Sequence, residues 1–360
     1  CLRGLVGSEM CIRDRSDDDV QREVLVRCQA VLPGWRDLWV DDFEFDPPKG
    51  FSSFTMGVRA SRPVDPPAVL YRHLEGKENA ILDADAERDL FLLLGRHDIA
   101  AHCHHADDTC RIEAFHDGRT LTRDDVFDPD IRRGIAGELF RLHQLDPPGL
   151  PDDHFFELLH RHWTELGRPV LTEHRHELPA AEQAMCDELL ALYDEATMDL
   201  VRGRLPDRPA VFCHNDTYHG NVMQLTDGSI KLLDFEFSCR GHIAFDFANL
   251  FAETTLRHGF SEPPHFRIAE ATFTDHDIGH LVGCYLDHAT FDSDRARRSE
   301  HDRLVAETRR AIPLSDFMYA MAAVPLALRP IQKIRFVPYA LERFRRFLAP
   351  GSEPHGVGAK

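Results

Sequence analysis

Apolar residues recur at helical spacing near the start of the chain and at alternating spacing after it. Over residues 17–31 the apolar positions fall three and four residues apart, which predicts an amphipathic helix. The segment FEFDPPKGFSSFTMGVRA, from Phe43, predicts a strand, a tight turn and a second strand. AVLYRHL, from Ala68, and RIEAF, from Arg111, predict two more strands. We therefore expect residues 16–117 to form a small antiparallel sheet with one internal helix.

The internal helix and the second half of the chain show the 3.6-residue period instead. Asp83 or Asp85 can cap a helix that runs through AERDLFLLL to a stop at Gly95. DIRRGIAGELFRLHQL, from Asp130, places its apolar residues on one face. Similar patterns cover residues 154–166, 180–198, 275–286 and 297–311. Residues 118–350 should therefore form a larger, mainly helical lobe, and the predicted fold class is α+β with two lobes.

Neither end of the chain carries a pattern typical of a folded element. Residues 1–15, CLRGLVGSEMCIRDR, lack an apolar core of signal-peptide length, and we expect a disordered tail that is not native to the protein. Residues 351–360 are expected to form a second tail. The longest apolar run, FMYAMAAVPLAL from Phe317, is shorter than the roughly 18 residues that span a bilayer and contains Pro325. We interpret that run as a buried core helix.

The composition is that of a globular protein, with 43% hydrophobic and 29% charged residues among 360. A formal charge of -19 argues against nucleic acid as a partner, because phosphate backbones are bound by clustered Lys and Arg. The charge is compatible with a cationic small-molecule substrate, and equally with acidity that only favours solubility. Nine cysteines at single positions indicate reduced thiols. We expect a cytoplasmic protein without a membrane partner; a homodimer stays open.

A cluster of histidines and cysteines from His102, HCHHADDTC, raises the question of a metal site. The spacing is too crowded for the usual Cys and His zinc patterns. The segment alternates and then reaches a turn at residues 106–108. We therefore favour an exposed hairpin.

A second hairpin is predicted after the stretch VFCHNDTYHGNVM. Residues 222–225 and 230–233 are apolar runs separated by Thr-Asp-Gly-Ser, and Asp-Gly is a strong hairpin signal. Arms of equal length bring Asn221 and Asp234 to the same open end. An amide oxygen and a carboxylate suit Mg²⁺, and Asp216 lies on the loop just before. This set fits phosphoryl transfer, and a capped loop that leads into an ordinary hairpin is the alternative.

HNDTYHGN, LLDFEF and then FDFANLFAE, from Phe245, together resemble the choline/ethanolamine kinases. That family belongs to the protein-kinase-like clan, which also contains the aminoglycoside phosphotransferases. The resemblance extends from about Phe43 to Phe347 and implies a kinase that uses ATP and Mg²⁺ to phosphorylate the hydroxyl of choline or ethanolamine, as in phospholipid biosynthesis. A phosphotransferase for aminoglycosides or thiamine, and a nucleotide-binding pseudokinase, remain the alternatives.

The resemblance also implies roles for individual residues. Asp216 matches the family's catalytic base, His214 a residue that orients the catalytic loop, and Asn221 and Asp234 its metal ligands. Arg72 matches a strand cation that pairs with a helix glutamate, Glu87, although a solvated strand residue, with Lys77 as the cation, is the alternative. In the phosphate loop KGFSSFT, Lys49 and Ser53 replace the family's first Gly and its Asn. The implied ATP-binding residues are Gly50, Phe51, Ser52, Ser53, Arg72, Glu87, Ala114, Phe115 and Tyr218.

The acceptor site departs from the family, which surrounds choline with aromatic rings. FAETTLRH, from Phe251, keeps Glu253 but has Thr254, Leu256 and His258 at the aromatic positions, and Pro325 and Leu328 replace two tryptophans. This loss favours a primary amine over a quaternary ammonium. A buried Glu253 would bind a cationic substrate, unless it pairs with Arg240 or Arg257. Phe266 is a further candidate ring, and the implied acceptor-binding residues are Asp216, Glu236, Glu253 and Tyr339.

Overall fold

The computed structural model describes residues 17–47, 54–74, 81–151, 153–328 and 334–349. The chain divides into two compact units between Asp117 and Gly118. The two predicted tails lie outside the described residues. So do Lys49, Gly50, Phe51, Ser52 and Ser53 of the predicted phosphate loop, and Lys77, the alternative cation.

The first unit contains the predicted antiparallel sheet. Its strands are β1 (Phe43–Phe45), β2 (Thr55–Ala60), β3 (Ala68–His73), β4 (Cys103–Ala106) and β5 (Cys110–Ala114), and they pair in the order β1-β2-β3-β5-β4. The predicted first helix, α1 (Asp17–Val31), buries Val24 and Cys28 in one apolar cluster with Val58 of β2 and Val69 of β3. Burial of such side chains is worth about 1.5–3 kcal/mol each, which fixes the helix on the sheet.

Helix α2 (Ala84–Arg96) is the predicted internal helix, and Asp83 is the residue that caps it. The Asp83 carboxylate accepts a hydrogen bond from Ala86 N at 2.8 Å, which satisfies one of the helix's otherwise unpaired amides. The cap places Glu87 in the first turn, where its side chain is buried.

The β4–β5 hairpin confirms the interpretation of the His- and Cys-rich segment as a turn. Asp107 Oδ1 accepts hydrogen bonds from the backbone of Thr109 and Cys110 and from the Thr109 hydroxyl. His105 Nε2 lies 3.0 Å from Asp107 Oδ2, and ligand atoms of His105, Asp107 and Cys110 come within 4.8 Å of one another. Because Asp107 closes the turn, its clustering with these neighbours follows from the hairpin itself.

The second unit is mainly helical, as predicted. Its helices are α3 (Pro129–His143), α4 (Phe155–His162), α5 (Arg168–Thr172), α6 (Ala180–Leu192), α7 (Glu195–Arg204), α8 (Ile243–Ala252), α9 (Asp275–Leu286), α10 (Asp294–Ala323) and α11 (Phe336–Leu348). Its strands are β6 (Gly118–Thr120), β7 (Val211–Cys213), β8 (Val222–Leu225), β9 (Ile230–Leu232), β10 (Cys239–Gly241), β11 (Leu256–His258) and β12 (Phe266–Ile268). They form a sheet β6-β8-β9 and two ribbons, β7-β10 and β11-β12.

Helix α10 forms the centre of this unit. Its second half is buried between α8 and α11, and Phe317 makes ring contacts with Phe344 and Phe347 of α11. Among the described residues, the segment Asp294–Leu328 is the one helix long and apolar enough to cross a membrane, and 72% of its apolar window is buried inside the protein. It is a core helix, as the sequence predicted.

Candidate active site

The β8–β9 hairpin brings Asn221 and Asp234 to one end, as predicted. Val222 pairs with Leu232 in antiparallel register, and Leu233 N donates to Asn221 O at 2.8 Å, which extends the pairing one step further. At the other end the turn contains Gly228, whose φ of +88° lies in the region that favours glycine. The two predicted metal ligands therefore leave the hairpin side by side.

Asp246, in the first turn of α8, holds the backbone of the loop that precedes this hairpin. Its carboxylate accepts hydrogen bonds from His214 N at 2.9 Å and from Asn215 N at 2.7 Å. Asn215 has a φ of +61°, a conformation that asparagine tolerates better than most residues. His143 of α3 lies 3.0 Å from the same carboxylate, and all these groups are buried. The loop is thereby attached to two helices of the second unit.

His214 links the loop to the hairpin rather than facing a reactant. Its Nδ1 accepts from Asp216 N at 3.3 Å, so Nε2 is the protonated nitrogen and donates to Leu233 O at 2.9 Å. Burial lowers the pKa of His214, which keeps the imidazole neutral. Both ring nitrogens therefore bond to backbone, and the side chain positions Asp216.

The Asp216 carboxylate is 7% exposed and has a hydrogen-bond donor on each oxygen. Tyr319 Oη donates to Oδ1 at 2.5 Å, and Asn221 Nδ2 donates to Oδ2 at 2.7 Å. Burial raises the pKa of Asp216 to about 8; the Tyr319 hydrogen bond opposes this shift, and the charges of Asp234 and Glu253 add to it. A carboxylate with such a raised pKa suits a general base that works near neutral pH.

The residues at the end of the hairpin fit a hard divalent cation. Asn221 Nδ2 also donates to Asp216 O at 3.0 Å, so the amide oxygen Oδ1 is the end that can face a metal. Asp234, two residues after the end of β9, has a φ of +63°, and its charge acts on both Asp216 and Tyr218. An amide oxygen beside carboxylates is the donor set that Mg²⁺ prefers.

In the first unit, the predicted ATP-binding cation and its glutamate lie in one chain of buried ion pairs. Arg72 Nε lies 3.5 Å from Glu113, and Glu87 lies 3.5 Å from Arg111, which also contacts Glu113 at 2.7 Å. Arg111 thus links the two predicted partners. Its guanidinium also stacks on the ring of Phe91 at 3.6 Å.

Ala114 and Phe115, the predicted hinge, follow directly in the chain. Ala114 N already donates to His102 O at 2.7 Å, so this amide serves the sheet. The ring of Phe115 lies under the Arg59 guanidinium at 4.2 Å.

In the second unit, Tyr218 stands among the acidic residues: burial and the charges of Asp216, Asp234, Glu253 and Glu236 raise its pKa.

Glu253 is buried and already ion-paired, but not with Arg240 or Arg257. Its Oε2 lies 2.8 Å from Arg343 of α11, and the Ser315 hydroxyl donates to Oε1 at 2.9 Å. Arg240 instead lies 3.2 Å from Asp146. The partner was missed because α11 and the residue that follows α8 meet only through the tertiary fold. Arg343 already balances the charge of Glu253, so Glu253 does not need a substrate cation for that purpose, and its part in acceptor binding stays a prediction.

Arg343 lies beside two tyrosine rings, one of which belongs to Tyr339, a predicted acceptor-binding residue. Its guanidinium lies 5.1 Å from the ring centres of both Tyr339 and Tyr319, and it pairs with Asp316 at 2.8 Å. The ring of Phe266 meets Tyr339 edge-on at 5.1 Å. Tyr339 and Phe266 are thus packed together, with a protein cation on the face of Tyr339.

Four residues of this site were not predicted: His143, Asp246, Tyr319 and Arg343. Asp246 lies inside FDFANLFAE, one of the three motifs that carry the family resemblance, so its place in that motif could have indicated a role in the site. Tyr319 and Arg343 lie on helices that are 103 and 90 residues away in sequence from their partners Asp216 and Glu253. For them the sequence offered only apolar periodicity.

Comparison with known proteins identifies the family. Residues 50–348 match the family model for choline/ethanolamine kinase. The human choline/ethanolamine kinase is 25% identical over 353 residues, which cover 91% of this chain and 85% of that protein. The solved choline kinase of Cryptosporidium parvum has a TM-score of 0.70 at 20% identity over 91% of this chain and 94% of its own. The ethanolamine kinase of Plasmodium vivax has a TM-score of 0.69 at 21% identity over 93% and 95%. These two likenesses show the protein-kinase-like fold, and the family match shows that the chain belongs to the choline/ethanolamine kinases, phosphotransferases with an alcohol acceptor that use ATP.

Proposed function

We propose that the second unit transfers the γ-phosphoryl group of ATP to the hydroxyl of choline or ethanolamine. The observation that carries this proposal is the convergence of Asp216, Asn221 and Asp234 at the open end of the β8–β9 hairpin. Such a set supplies a base for the attacking hydroxyl and oxygen ligands for the metal that phosphoryl transfer requires.

Each polar residue has a distinct part in this proposal. Asn221 and Asp234 would hold Mg²⁺, which supplies charge neutralisation for the ATP phosphates when bound. Asp216 orients the acceptor hydroxyl and accepts its proton as the new O–P bond forms, while the bond between the γ-phosphorus and the β–γ bridging oxygen of ATP breaks and ADP leaves. His214 and Asp246 hold the loop so that the carboxylate does not need to reorganise during the reaction.

On the nucleotide side, we propose that the lobe of residues 16–117 binds ATP through the phosphate loop at residues 50–53, the ion-pair chain of Arg72 and Glu87, and backbone near Phe115. Residues 118–350 would hold the catalytic and acceptor groups, including Tyr218, Glu236 and Tyr339. A cytoplasmic location and a homodimer, without nucleic-acid or membrane partners, belong to the same proposal.

An aminoglycoside or thiamine is the second candidate, because Thr254, Leu256 and His258 stand where the family has aromatic residues around choline. Since Arg343 already pairs with Glu253, the positive charge of choline or ethanolamine must be met elsewhere, for instance by Glu236. Aminoglycosides and thiamine are cationic as well, so the same requirement applies to them. A pseudokinase is disfavoured because Asp216, Asn221 and Asp234 are all present.

The test is ATP consumption with Mg²⁺ and a panel of acceptors: choline, ethanolamine, thiamine and several aminoglycosides. We expect turnover with an amino alcohol, and loss of that turnover in Asp216→Ala with nucleotide binding retained. Turnover with only an aminoglycoside or thiamine would support the second candidate. ATP binding without turnover on any acceptor would contradict both and favour the pseudokinase.

A further inference from the structure

Tyr319 of α10 donates its hydroxyl to the Asp216 carboxylate, a contact that the proposed roles do not use. We propose that Tyr319 is a positioning residue that fixes the orientation of Asp216 and is itself held in place by Arg343. The inference rests on the proposed function, in which Asp216 acts as the base.

The Asp216 carboxylate is held from both sides. The Tyr319 hydroxyl bonds Oδ1 at 2.5 Å and the Asn221 amide bonds Oδ2 at 2.7 Å. Two donors on opposite oxygens fix the rotation of the carboxylate about its Cβ–Cγ bond. Each carboxylate oxygen has a second lone pair, so an acceptor hydroxyl can still bond to Asp216 while both contacts persist.

Tyr319 is itself constrained from the far side of its ring. The Arg343 guanidinium lies 5.1 Å from the ring centre and is 1% exposed. Arg343 in turn is held by Glu253 and Asp316, each at 2.8 Å. A cation–π contact in such a desolvated place is stronger than one at the protein surface. A continuous series of contacts therefore runs from α11 through α10 to the catalytic carboxylate.

This series acts on a different part of the loop from Asp246. Asp246 bonds the backbone amides of His214 and Asn215, whereas Tyr319 bonds the side chain of Asp216. The backbone can therefore keep its place when the Tyr319 hydroxyl is removed. What changes is the aim of the carboxylate, which matters because an error of about 1 Å in a reacting group can cost about 100-fold in rate.

A purely structural role is the competing explanation, because a buried tyrosine hydroxyl needs some acceptor. The two explanations differ in what they predict for Tyr319→Phe. A structural role lowers the melting temperature and leaves kcat of the folded protein unchanged. A positioning role lowers kcat, by about 10- to 100-fold for a hydrogen bond to a charged group, and leaves KM for ATP within about twofold.

Tyr193→Phe is the matched control. Tyr193 contacts α10, the helix that carries Tyr319: its ring stacks on Phe317, with 6.4 Å between the ring centres. The Tyr193 hydroxyl contacts His160, which lies far in sequence from the loop that carries Asp216. Removal of this hydroxyl should leave kcat unchanged. The conservative variant Arg343→Lys keeps the charge but loses the planar guanidinium. As a single substitution it should lower kcat, whereas in combination with Tyr319→Phe it should lower kcat no further than Tyr319→Phe alone.

The experiment measures kcat, KM for ATP and acceptor, and melting temperature for these four proteins and the wild type. Unchanged kcat in Tyr319→Phe, or an equal loss in Tyr193→Phe, would overturn the inference. Wild-type turnover is measured first, so its absence would count against the proposed function instead. In that case the rate of ATP hydrolysis by water, in which Asp216 would act on the attacking water, is compared between the wild type and Tyr319→Phe. An unaltered hydrolysis rate in Tyr319→Phe would again overturn the positioning role.

Discussion

Arg343 carries a buried positive charge between Glu253 and Asp316, and its charge state follows from those neighbours. Burial alone would lower the pKa of Arg343, but the charge of Glu253 outweighs it, and the pKa lies well above its ordinary value. Burial conversely raises the pKa of Glu253, and Arg343 opposes that shift. Each charge of the cluster therefore depends on the other.

Removal of one partner should be far more costly than removal of both. We expect Arg343→Met to lower the free energy of unfolding by about 3–5 kcal/mol, because it leaves buried carboxylates unpaired. Adding Glu253→Gln should recover part of this loss. The control is Asp187→Asn, which breaks an exposed pair with Arg175 and should cost far less. Urea unfolding measures all three; equal losses for the buried and exposed pairs would contradict the account.

Asp234 should matter through the metal rather than through the fold. We expect Asp234→Asn to raise the Mg²⁺ concentration needed for half-maximal activity at least tenfold, since a neutral amide is a weaker ligand than a carboxylate. Asp227→Asn, in the turn of the same hairpin and bonded to Ser229, is the control. Equal Mg²⁺ dependence of the two variants would remove Asp234 from the metal site.

Residues that act through local spacing were predictable, and residues that act across the fold were not. Asn221 and Asp234 could be paired from the sequence because a short hairpin joins them. The place of Asp216 near this pair could be predicted because Asp216 precedes Asn221 by only a few residues in the sequence. The hydrogen bond from Tyr319 and the ion pair of Arg343 depend on how α10 and α11 pack, which the pattern of apolar residues does not specify.

Among the elements, the β7–β10 ribbon lies beside the loop that carries Asp216, because β7 ends at Cys213, directly before that loop. Cys239 pairs with Cys213 and Gly241 pairs with Val211. A Cβ atom at Gly241 would lie 2.4 Å from Asn215 Oδ1, so only glycine fits beside the loop. The strand therefore transmits any change at Gly241 directly to the loop that carries Asp216.

Gly241→Ala should displace the loop. We expect a loss of about 1–3 kcal/mol in stability, typical of overpacking, together with a lower kcat. Gly203→Ala is the matched control, because a Cβ at Gly203 in α7 has nothing within 4 Å and alanine favours a helix. Circular dichroism melting and the ATP assay compare the two variants. An intact kcat in Gly241→Ala would mean that the loop tolerates the shift.

The strands of the second unit show what an element's sequence can reveal. The β8–β9 hairpin was predicted because Asp-Gly separates two apolar runs. Strand β6 has three exposed residues and no alternation, yet it pairs with β8. A Cβ at Gly118 would lie 2.4 Å from Gln224 O, so the pairing depends on a close backbone approach that no local pattern indicates.

On the scale of the whole molecule, four buried or half-buried histidines couple stability to pH. Burial lowers the pKa of each to about 4, from an ordinary value of 6.5: His154, His162, His219 and His242. Between these values the unfolded chain binds more protons than the folded one. Stability that is fully present above pH 6.5 is therefore lost as the pH falls towards 4.

We expect the free energy of unfolding in urea to fall between pH 6.5 and 4.5, because the four histidines together outweigh Asp216, whose raised pKa acts in the opposite direction. His162→Asn, at the end of α4, should reduce the slope by the share of one histidine. The control is His176→Asn, which alters an exposed side chain and should leave the slope unchanged. A fall in stability of equal steepness in wild type and His162→Asn would show that other groups cause it.

The overall architecture was accessible from the sequence because each unit has a dominant period. Alternation predicted the small antiparallel sheet, and the 3.6-residue period predicted the helical unit. The charge partner of Glu253 was not accessible, since ion pairs in a folded core depend on distance in space. The overall excess of acidic residues likewise could not indicate that Arg343 pairs with Glu253 and Asp316 in the core.

The most direct measurement is phosphorus NMR of a reaction that contains ATP, Mg²⁺ and an amino alcohol, with the wild type and with Asp216→Asn. Asparagine keeps the size of the side chain and its acceptor oxygen but cannot take a proton. The account predicts a phosphomonoester signal that grows with the ADP signals in the wild type and is absent in the variant, although both bind ATP. Equal formation of the phosphomonoester by both proteins would contradict the role of Asp216 as the base.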